Sequence, residues 1–170
     1  MHSVPASCPC GQVALEAAGA PILSATCYCE SCRKAARQFE QAPDAPTVLN
    51  AEGGVDYCLF RKDRVRITRG AEHLREHRLT AASPTRRVVT TCCNAPMFLD
   101  FTKGHWLNLY RDRLGAGAPP LEMGVMAKER PPGVPRPGGL PAYPTYPPKF
   151  MIKLLTTWAA MGFRRPRIVW

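Results

Sequence analysis

The positions of the cysteines constrain this chain more than any other feature. Seven of its eight cysteines fall into three short clusters. The clusters are Cys8-Pro9-Cys10, then Cys27-Tyr28-Cys29-Glu30-Ser31-Cys32, then the adjacent pair Cys92-Cys93. A disulfide gains nothing from such crowding, whereas a soft divalent metal needs several thiolates that converge on one point. The pattern therefore favours zinc–thiolate sites over disulfides or a redox dithiol.

Length and the N-terminal residues limit the class of protein. A chain of 170 residues can form one domain with a core and an extension, but it is too short for two ordinary domains. The start, Met1 to Pro5, has neither the basic nor the apolar part of a secretory signal, and no apolar run reaches the length of a membrane span. We therefore expect a cytoplasmic protein, whose thiols stay reduced unless a metal holds them.

The chain is basic, with a formal charge of +10 from 23 Lys and Arg against 13 Asp and Glu. Such an excess suits an anionic partner, whether a carboxylate-bearing small molecule, nucleic acid or a membrane surface. The arginines are scattered, however, and they do not alternate with the aromatic residues that single-strand binding requires. A solvated basic face is the favoured interpretation, and nucleic-acid binding is disfavoured.

Two stretches, 11–26 and 47–110, have the short strand-like runs of a β-rich domain. A turn at Gly19-Ala20-Pro21 separates the alternating run 11–17 from a second run at 22–26. Further strand-like runs follow at 55–60, 65–68, 87–91 and 106–110, whereas 31–41 predicts a short helix or a loop. The sequence thus predicts a mainly β domain of short antiparallel strands, held by zinc, over residues 1–114.

The composition changes after this domain. Ten of the eighteen prolines lie between Pro119 and Pro148, so residues 115–148 are expected to form an extended segment over the domain or a loose linker. The last part, 149–170, predicts an amphipathic helix and a basic tail. Its apolar stripe consists of Phe150, Leu154, Trp158 and Met161, widened by Ile152 and Leu155. Such a helix packs on its own domain, on a partner subunit as a homo-oligomer contact, or on a membrane surface.

The motifs in this order resemble the glutathione-dependent formaldehyde-activating and centromere protein V-like family, which has the Mss4-like β-tent fold. The resemblance covers residues from about 7 to 110. The matching segments are Cys8-Pro9-Cys10-Gly11, Cys27-Tyr28-Cys29-Glu30-Ser31-Cys32-Arg33, Gly70 with Leu74 and His77, and Cys93-Asn94-Ala95-Pro96-Met97. They correspond to the family's C-x-C-G, C-x-C-x-x-C, G-x-x-x-L-x-x-Y and C-G-x-P-L elements.

The resemblance implies two zinc sites, of which the first is structural. Carried over, its ligands are Cys8, Cys10 and Cys93. The family's fourth ligand stands three residues before the last of these, and here that position is Thr90. Cys92 is the proposed substitute, which requires a tight turn because neighbouring side chains on a regular strand point to opposite faces. Four thiolates would make this site a structural staple.

The second implied site consists of Cys27, Cys29 and Cys32. Three thiolates leave a fourth tetrahedral position open to water or a thiol, as in a catalytic zinc site. The resemblance implies carbon–sulfur bond formation or cleavage on a glutathione adduct or a related small thiol adduct, with Glu30 as a candidate general acid or base. The alternative is that a fourth ligand, with Cys92 as the candidate, closes the site, or that the clusters merge around one ion.

Other polar candidates carry less weight. His73 and His77 are four residues apart, which on a strand separates them by about 13 Å, so we do not expect a ligand pair. Cys58 lies in an apolar run and is expected to be a small buried core residue. His105 and Trp106 are candidates for a pocket wall, although a core tryptophan is the commoner outcome.

Two functions follow as hypotheses. The first is a zinc-dependent carbon–sulfur lyase-like protein that acts on a small thiol adduct. The second is a non-catalytic, zinc-stabilised module that binds a protein, a membrane surface or nucleic acid. An enzyme needs an open metal with three protein ligands, whereas a binding module needs only closed metal sites.

Overall fold

Short strands dominate the computed structural model, which describes residues 3–134 and 139–170. In chain order the strands are β1 Ser3–Ser7, β2 Ala14–Ala18, β3 Leu23–Cys27, β4 Val55–Arg61, β5 Val65–Arg69, β6 Leu74–His77, β7 Thr85–Thr90, β8 Pro96–Phe101, β9 Trp106–Tyr110 and β10 Met123–Val125. The α-helices are α1 Glu30–Glu40 and α2 Pro148–Ala160. The mainly β fold with a C-terminal helix is confirmed, and it is consistent with an Mss4-like β-tent. The start of the expected first domain, 1–2, and part of the proline-rich segment, 135–138, lie outside the described residues.

The strands form two sheets, and the larger sheet lies between two hydrophobic clusters. A three-stranded sheet has the order β1-β2-β5, and a seven-stranded sheet has the order β10-β3-β4-β9-β8-β7-β6. Successive side chains of β4 point to opposite faces of the larger sheet, so they pack into different clusters. Tyr57 and Leu59 belong to the core on the side of α1 and α2, whereas Cys58 and Phe60 belong to the core under the smaller sheet. Cys58 is fully buried there, as expected.

Helix α1 follows β3 directly, and it settles the choice between helix and loop for residues 31–41 in favour of a helix. It buries Ala35, Ala36 and Phe39 against the larger sheet. Glu30 in the first turn pairs with Arg33 and Arg37 along the exposed side. The acidic residue also interacts favourably with the helix dipole, which is most positive at this end.

Part of the proline-rich segment, the strand Met123–Val125, joins the larger sheet at its edge. Strand β10 pairs in parallel with β3, with Val125 opposite Cys27. The later part of the segment returns alongside it: the Gly124 amide donates to the Pro141 carbonyl at 2.8 Å, and the Tyr143 amide donates to Gly124 at 2.9 Å. Prolines are tolerated at a sheet edge because only one side of an edge strand needs ladder hydrogen bonds. The division at 115 and 149 stays a prediction.

Helix α2 covers one end of the core with Phe150 and Leu154, and Met161 is buried just beyond its last turn. Ile152 and Leu155 widen the apolar stripe of the sequence, but they lie outside its buried part, since they are 59% and 57% exposed. At about 100° per residue, these two positions turn away from the face that Phe150 and Leu154 present to the sheet.

The C-terminal tail packs back onto the domain. Ile168 is buried, the Trp170 ring lies 5.5 Å from that of Phe98, and the Arg86 guanidinium lies 4.3 Å from the centre of the Trp170 ring. Within residues 3–134 and 139–170, no helix is long and apolar enough to cross a bilayer.

Candidate metal centres and the adjoining cavity

Four sulfur atoms from two distant parts of the chain meet beside the smaller sheet. They belong to Cys8, Cys10, Cys92 and Cys93, and they all lie within 4.8 Å of one another. The first two cysteines stand in the β1–β2 hairpin, where Gly11 adopts a φ of 76° and its amide donates to the Cys8 carbonyl at 2.9 Å. That conformation costs least at glycine and turns the chain back so that both sulfurs point the same way.

The other two sulfurs come from the turn that joins β7 to β8. Asn94 has a left-handed φ of 53°, which asparagine tolerates better than most residues. Because the chain has left the extended conformation, Cys92 and Cys93 no longer point to opposite faces. The condition for Cys92 to join the first cluster is therefore met.

The spacing of the four sulfurs fits a tetrahedral metal site. Four sulfurs at about 2.3 Å from a zinc ion would lie about 3.8 Å from one another. Cys8 Sγ lies 3.4 Å from Cys10 Sγ and 3.9 Å from Cys92 Sγ, while Cys92 Sγ lies 3.3 Å from Cys10 Sγ and 3.9 Å from Cys93 Sγ. The donor set and its dimensions thus match a closed four-thiolate site.

The second cluster lies where β3 gives way to α1. Cys27 is the last residue of β3, Cys29 caps the N-terminus of α1, and Cys32 lies in its first turn. The Cys32 amide donates to the Cys29 carbonyl at 3.1 Å, which closes this turn and gathers the three sulfurs within 4.8 Å. Among the described residues, no further cysteine, histidine or carboxylate joins them. Cys92 belongs to the first cluster, so it does not close the second.

The protonation of the second cluster shows how strongly its thiols interact. Hydrogen bonds from Cys27 and Cys32 lower the pKa of the Cys29 thiol to about 2. The contact with Cys29, reinforced by burial, raises the pKa of Cys27. For Cys32 the contact with Cys27 lowers the pKa, but the contact with Cys29 and burial outweigh it and raise the pKa to about 11. One thiolate held by two protonated thiols is the arrangement in which a divalent cation can replace the protons.

A cavity of about 390 Å³ opens beside the second cluster, and all three of its cysteines line it. Its walls come from the larger sheet and from α2. The polar lining residues include Ser31, Thr85, Arg87 and Asn108, and the apolar ones include Leu59, Leu99, Phe101, Trp106, Phe150 and Leu154. An apolar cleft with a few convergent polar groups is the usual form of a small-molecule site.

Arg87 was not identified from the sequence as a residue of the site. It is 1% exposed, its Nη2 donates to the Ser31 carbonyl at 3.1 Å, and its positive charge acts on Cys32. The interpretation of the arginines as a solvated face is wrong at this position. The sequence contains only a weak indication that Arg87 is buried. Val88 and Val89, which follow it in β7, are apolar and buried.

The remaining candidates fall outside both clusters. Glu30 is not among the cavity-lining residues, and its carboxylate pairs with Arg33 at 3.1 Å and Arg37 at 2.6 Å. His73 stands in a short helical turn, while Nε2 of His77 lies 3.1 Å from Gln38 Oε1. Neither histidine joins a metal-type cluster among the described residues.

His105 and Trp106 take different roles. Trp106 lines the cavity beside the thiols, as one interpretation of the sequence expected. His105 is 3% exposed, and its ring stacks on Trp158 with centroids 5.9 Å apart.

Comparisons with known proteins agree with this geometry at the N-terminal part of the chain. The model of the family described as glutathione-dependent formaldehyde-activating enzyme matches residues 3–43, which contain the C-x-C-G hairpin and the whole second cluster. No curated protein sequence gives a significant match. A solved structure of a Rhodobacter sphaeroides protein is similar at a TM-score of 0.49 and 14% identity, over 82% of this chain and 99% of that one. Over residues 3–43 the chain is therefore similar to the glutathione-dependent formaldehyde-activating family, and both of its cysteine clusters could hold a metal ion.

Proposed function

We propose that this protein is a zinc-dependent carbon–sulfur lyase-like enzyme that acts on a glutathione-type or related small thiol adduct. Cys8, Cys10, Cys92 and Cys93 would hold a structural zinc. Cys27, Cys29 and Cys32 would hold a catalytic zinc. The observation that carries the proposal is the second cluster, because it offers three thiols, lacks a fourth ligand among the described residues and faces the large cavity.

The two clusters differ in the way that structural and catalytic zinc sites differ. Structural sites use four protein ligands, whereas catalytic sites keep one position for water or substrate. When bound at the second cluster, zinc would lower the pKa of an incoming thiol and hold it as a thiolate. A metal held by the first cluster would link the β1–β2 hairpin to the β7–β8 turn, and thus one sheet to the other.

The proposed reaction adds a thiol to an aldehyde, or reverses that addition. In the forward direction the thiol sulfur bonds to the carbonyl carbon, the carbonyl π bond breaks, and the thiol proton passes to the carbonyl oxygen. Arg87 lines the cavity that holds the thiols, so its guanidinium would donate to that oxygen as it gains negative charge. The buried Asn108 Oδ1 would accept a hydrogen bond from the hydroxyl that forms.

Glu30 is the proposed proton carrier, a role that requires its carboxylate to change position. Its carboxylate would have to leave Arg33 and Arg37 and turn toward the cavity. A Glu30→Gln variant should therefore lose activity if the carboxylate carries the proton. Unchanged activity would assign the proton transfer to solvent.

Cobalt substitution tests the open position directly, since cobalt–thiolate absorption changes with coordination. Millimolar glutathione, or its formaldehyde adduct, should perturb the spectrum of the cobalt-loaded full chain. The second-cluster variant Cys29→Ser should show no response, whereas Cys58→Ser, a matched control outside both clusters, should respond like the parent. The response should weaken at high salt because the basic surface attracts the anionic tripeptide. An unresponsive parent protein would contradict the proposal.

One observation favours the non-catalytic binding module as the second candidate. Ile152 and Leu155 on α2 and Phe163 beyond it are more than half exposed, and the basic residues Arg164 and Arg165 follow. Such a surface suits a second copy of the chain or an anionic membrane surface. An Ile152→Glu, Leu155→Glu variant examined by sedimentation and by binding to anionic vesicles tests this alternative, independently of the cobalt experiment.

A further inference from the structure

The cavity beside the second cluster is divided into a polar part and an apolar part. Arg87 on β7, Leu99 on β8, Asn108 on β9 and Leu59 on β4 are register partners in one row across the larger sheet. All four line the cavity. In this row the polar residues Arg87 and Asn108 alternate with the aliphatic residues Leu99 and Leu59.

The polar part contains buried groups with unused hydrogen-bonding capacity. Arg87 Nε and Asn108 Oδ1 are buried atoms without a hydrogen-bond partner among the described residues. Both residues line the cavity, and Arg87 is only 1% exposed. A buried polar atom without a partner is costly, so an oxygen-bearing group of a bound molecule is the kind of partner that this part would accept.

The apolar part contains aromatic and aliphatic side chains from β8, β9 and α2. Phe101, Trp106, Phe150 and Leu154 form its walls, and Tyr146 and Met151 lie at its rim, where they are 44% and 51% exposed. Among the described lining residues, Arg87 is the only one with a positively charged side chain. Glutathione carries two carboxylates and an ammonium group, and burying these against apolar walls would be unfavourable.

We infer that this cavity selects thiol adducts that carry a neutral, apolar group of about the size of a phenyl ring, and binds them in preference to glutathione adducts. The apolar group packs between Trp106 and the α2 residues Phe150 and Leu154. The single oxygen of the adduct faces Arg87 and Asn108. This inference rests on the proposed function, because it needs the thiol to enter the open position of the second cluster.

The test compares three thiols on the cobalt-loaded full chain. Benzyl mercaptan, glutathione and 2-mercaptoethanol are titrated while the cobalt–thiolate absorption is recorded, and the last of these reports coordination without either side group. Burial of a phenyl group should lower the midpoint for benzyl mercaptan at least about tenfold below those of the other two. A midpoint for glutathione equal to or below that for benzyl mercaptan would overturn the inference and leave the proposed function standing. Silence with all three thiols would overturn both.

Two adjacent residues of α2 supply a matched pair of variants. Met151 lines the cavity rim, whereas its neighbour Ile152 does not line the cavity, and both are more than half exposed, so neither substitution should disturb folding. Met151→Glu should raise the midpoint for benzyl mercaptan about fivefold or more, because a carboxylate would replace apolar surface. Ile152→Glu should leave it unchanged. Equal effects of the two substitutions would contradict the placement of the apolar group.

Discussion

The Thr90 hydroxyl oxygen lies 3.3 Å from the Cys93 sulfur, within the turn that completes the first cluster. The same hydroxyl accepts a hydrogen bond from the Ala95 amide at 3.0 Å, and Thr90 is fully buried. Thr90 occupies the position at which the family spacing expects a cysteine. The Thr90 hydroxyl thus stabilises the turn by its hydrogen bond with Ala95, and Cys92 provides the fourth sulfur of the cluster.

The closeness of Thr90 to Cys93 predicts that a cysteine at position 90 can replace Cys92 as the fourth metal ligand. Cys92→Ser should remove one metal equivalent per chain, because a serine hydroxyl replaces a thiolate in the four-sulfur set. Adding Thr90→Cys should restore that equivalent, since a sulfur at position 90 would replace an oxygen already 3.3 Å from Cys93 Sγ. Elemental analysis of the parent and both variants, purified without chelators, gives the measurement. Failure of the double variant to regain metal would show that position 90 cannot reach the ion.

Loss of a ligand in the first cluster should cost far more stability than loss of the remaining cysteine. Metal binding free energy at a structural site is also folding free energy, so Cys8→Ser or Cys10→Ser should cost several kcal/mol. Cys58 accepts a hydrogen bond from Ser24 Oγ at 3.3 Å, which a serine at this position can keep. Cys58→Ser should therefore cost only about 1–3 kcal/mol. Equal melting temperatures for the two kinds of variant would show that the first cluster does not hold a stabilising metal.

The second cluster depends on close packing around Tyr28, the residue between two of its cysteines. A Cβ atom at Gly54 would lie 2.5 Å from Thr26 Cγ2 and 2.8 Å from Tyr28 Cε1, which is too close for either to stay in place. Gly54→Ala should thus destabilise the fold by about 1–3 kcal/mol and displace Tyr28. At Gly117 the added atom would meet Val4 Cγ1 at 3.4 Å, an acceptable contact, so Gly117→Ala is the control.

Denaturant unfolding and the cobalt spectrum together measure the effect of Gly54→Ala. The substitution should lower the unfolding midpoint and broaden the absorption of the second cluster, while Gly117→Ala changes neither. An unaltered midpoint for Gly54→Ala would mean that Thr26 and Tyr28 can move aside without cost.

Local signals predicted the parts of the fold that depend on neighbouring residues. The strand-like runs at 55–60 and 106–110 correspond to β4 and β9, and tight cysteine spacing identified both clusters. β10 was missed because its three residues are held in place by pairing with β3, which no local pattern encodes. The exposure of Ile152 and Leu155 was missed for a similar reason: a helical stripe does not show how much of its width a sheet will cover.

The cavity could not be predicted from the sequence, because its residues come from separate strands. Arg87, Asn108 and Tyr57 meet only through the pairing of β7, β8, β9 and β4. In the sequence each is an ordinary polar residue within a strand-like run. They are distinguished by the burial of their polar atoms, of which Arg87 Nε and Asn108 Oδ1 have no hydrogen-bond partner among the described residues, and this burial arises from the tertiary structure.

A buried histidine should make the stability of this protein sensitive to mild acid. Burial lowers the pKa of His105, and the positive charges of Lys62 and Arg61 lower it further, although Asp63 acts in the opposite sense. The unfolded chain then binds a proton near its ordinary pKa of 6.5, whereas the folded protein resists protonation until a lower pH. Stability is therefore unaffected above this range and falls as the pH drops below about 6.5, by at most about 1.4 kcal/mol per pH unit for one proton.

Comparison with a variant isolates the contribution of this histidine from that of the thiols. The free energy of unfolding of the parent and of His105→Gln should be measured between pH 7.5 and 5.5, with the zinc content checked at each pH. The substitution will weaken the stacking on Trp158, so the absolute stabilities are expected to differ. The informative quantity is the slope with pH, which should be smaller in the variant because glutamine takes up no proton. Identical slopes in the two proteins would show that His105 is protonated equally in the folded and unfolded states.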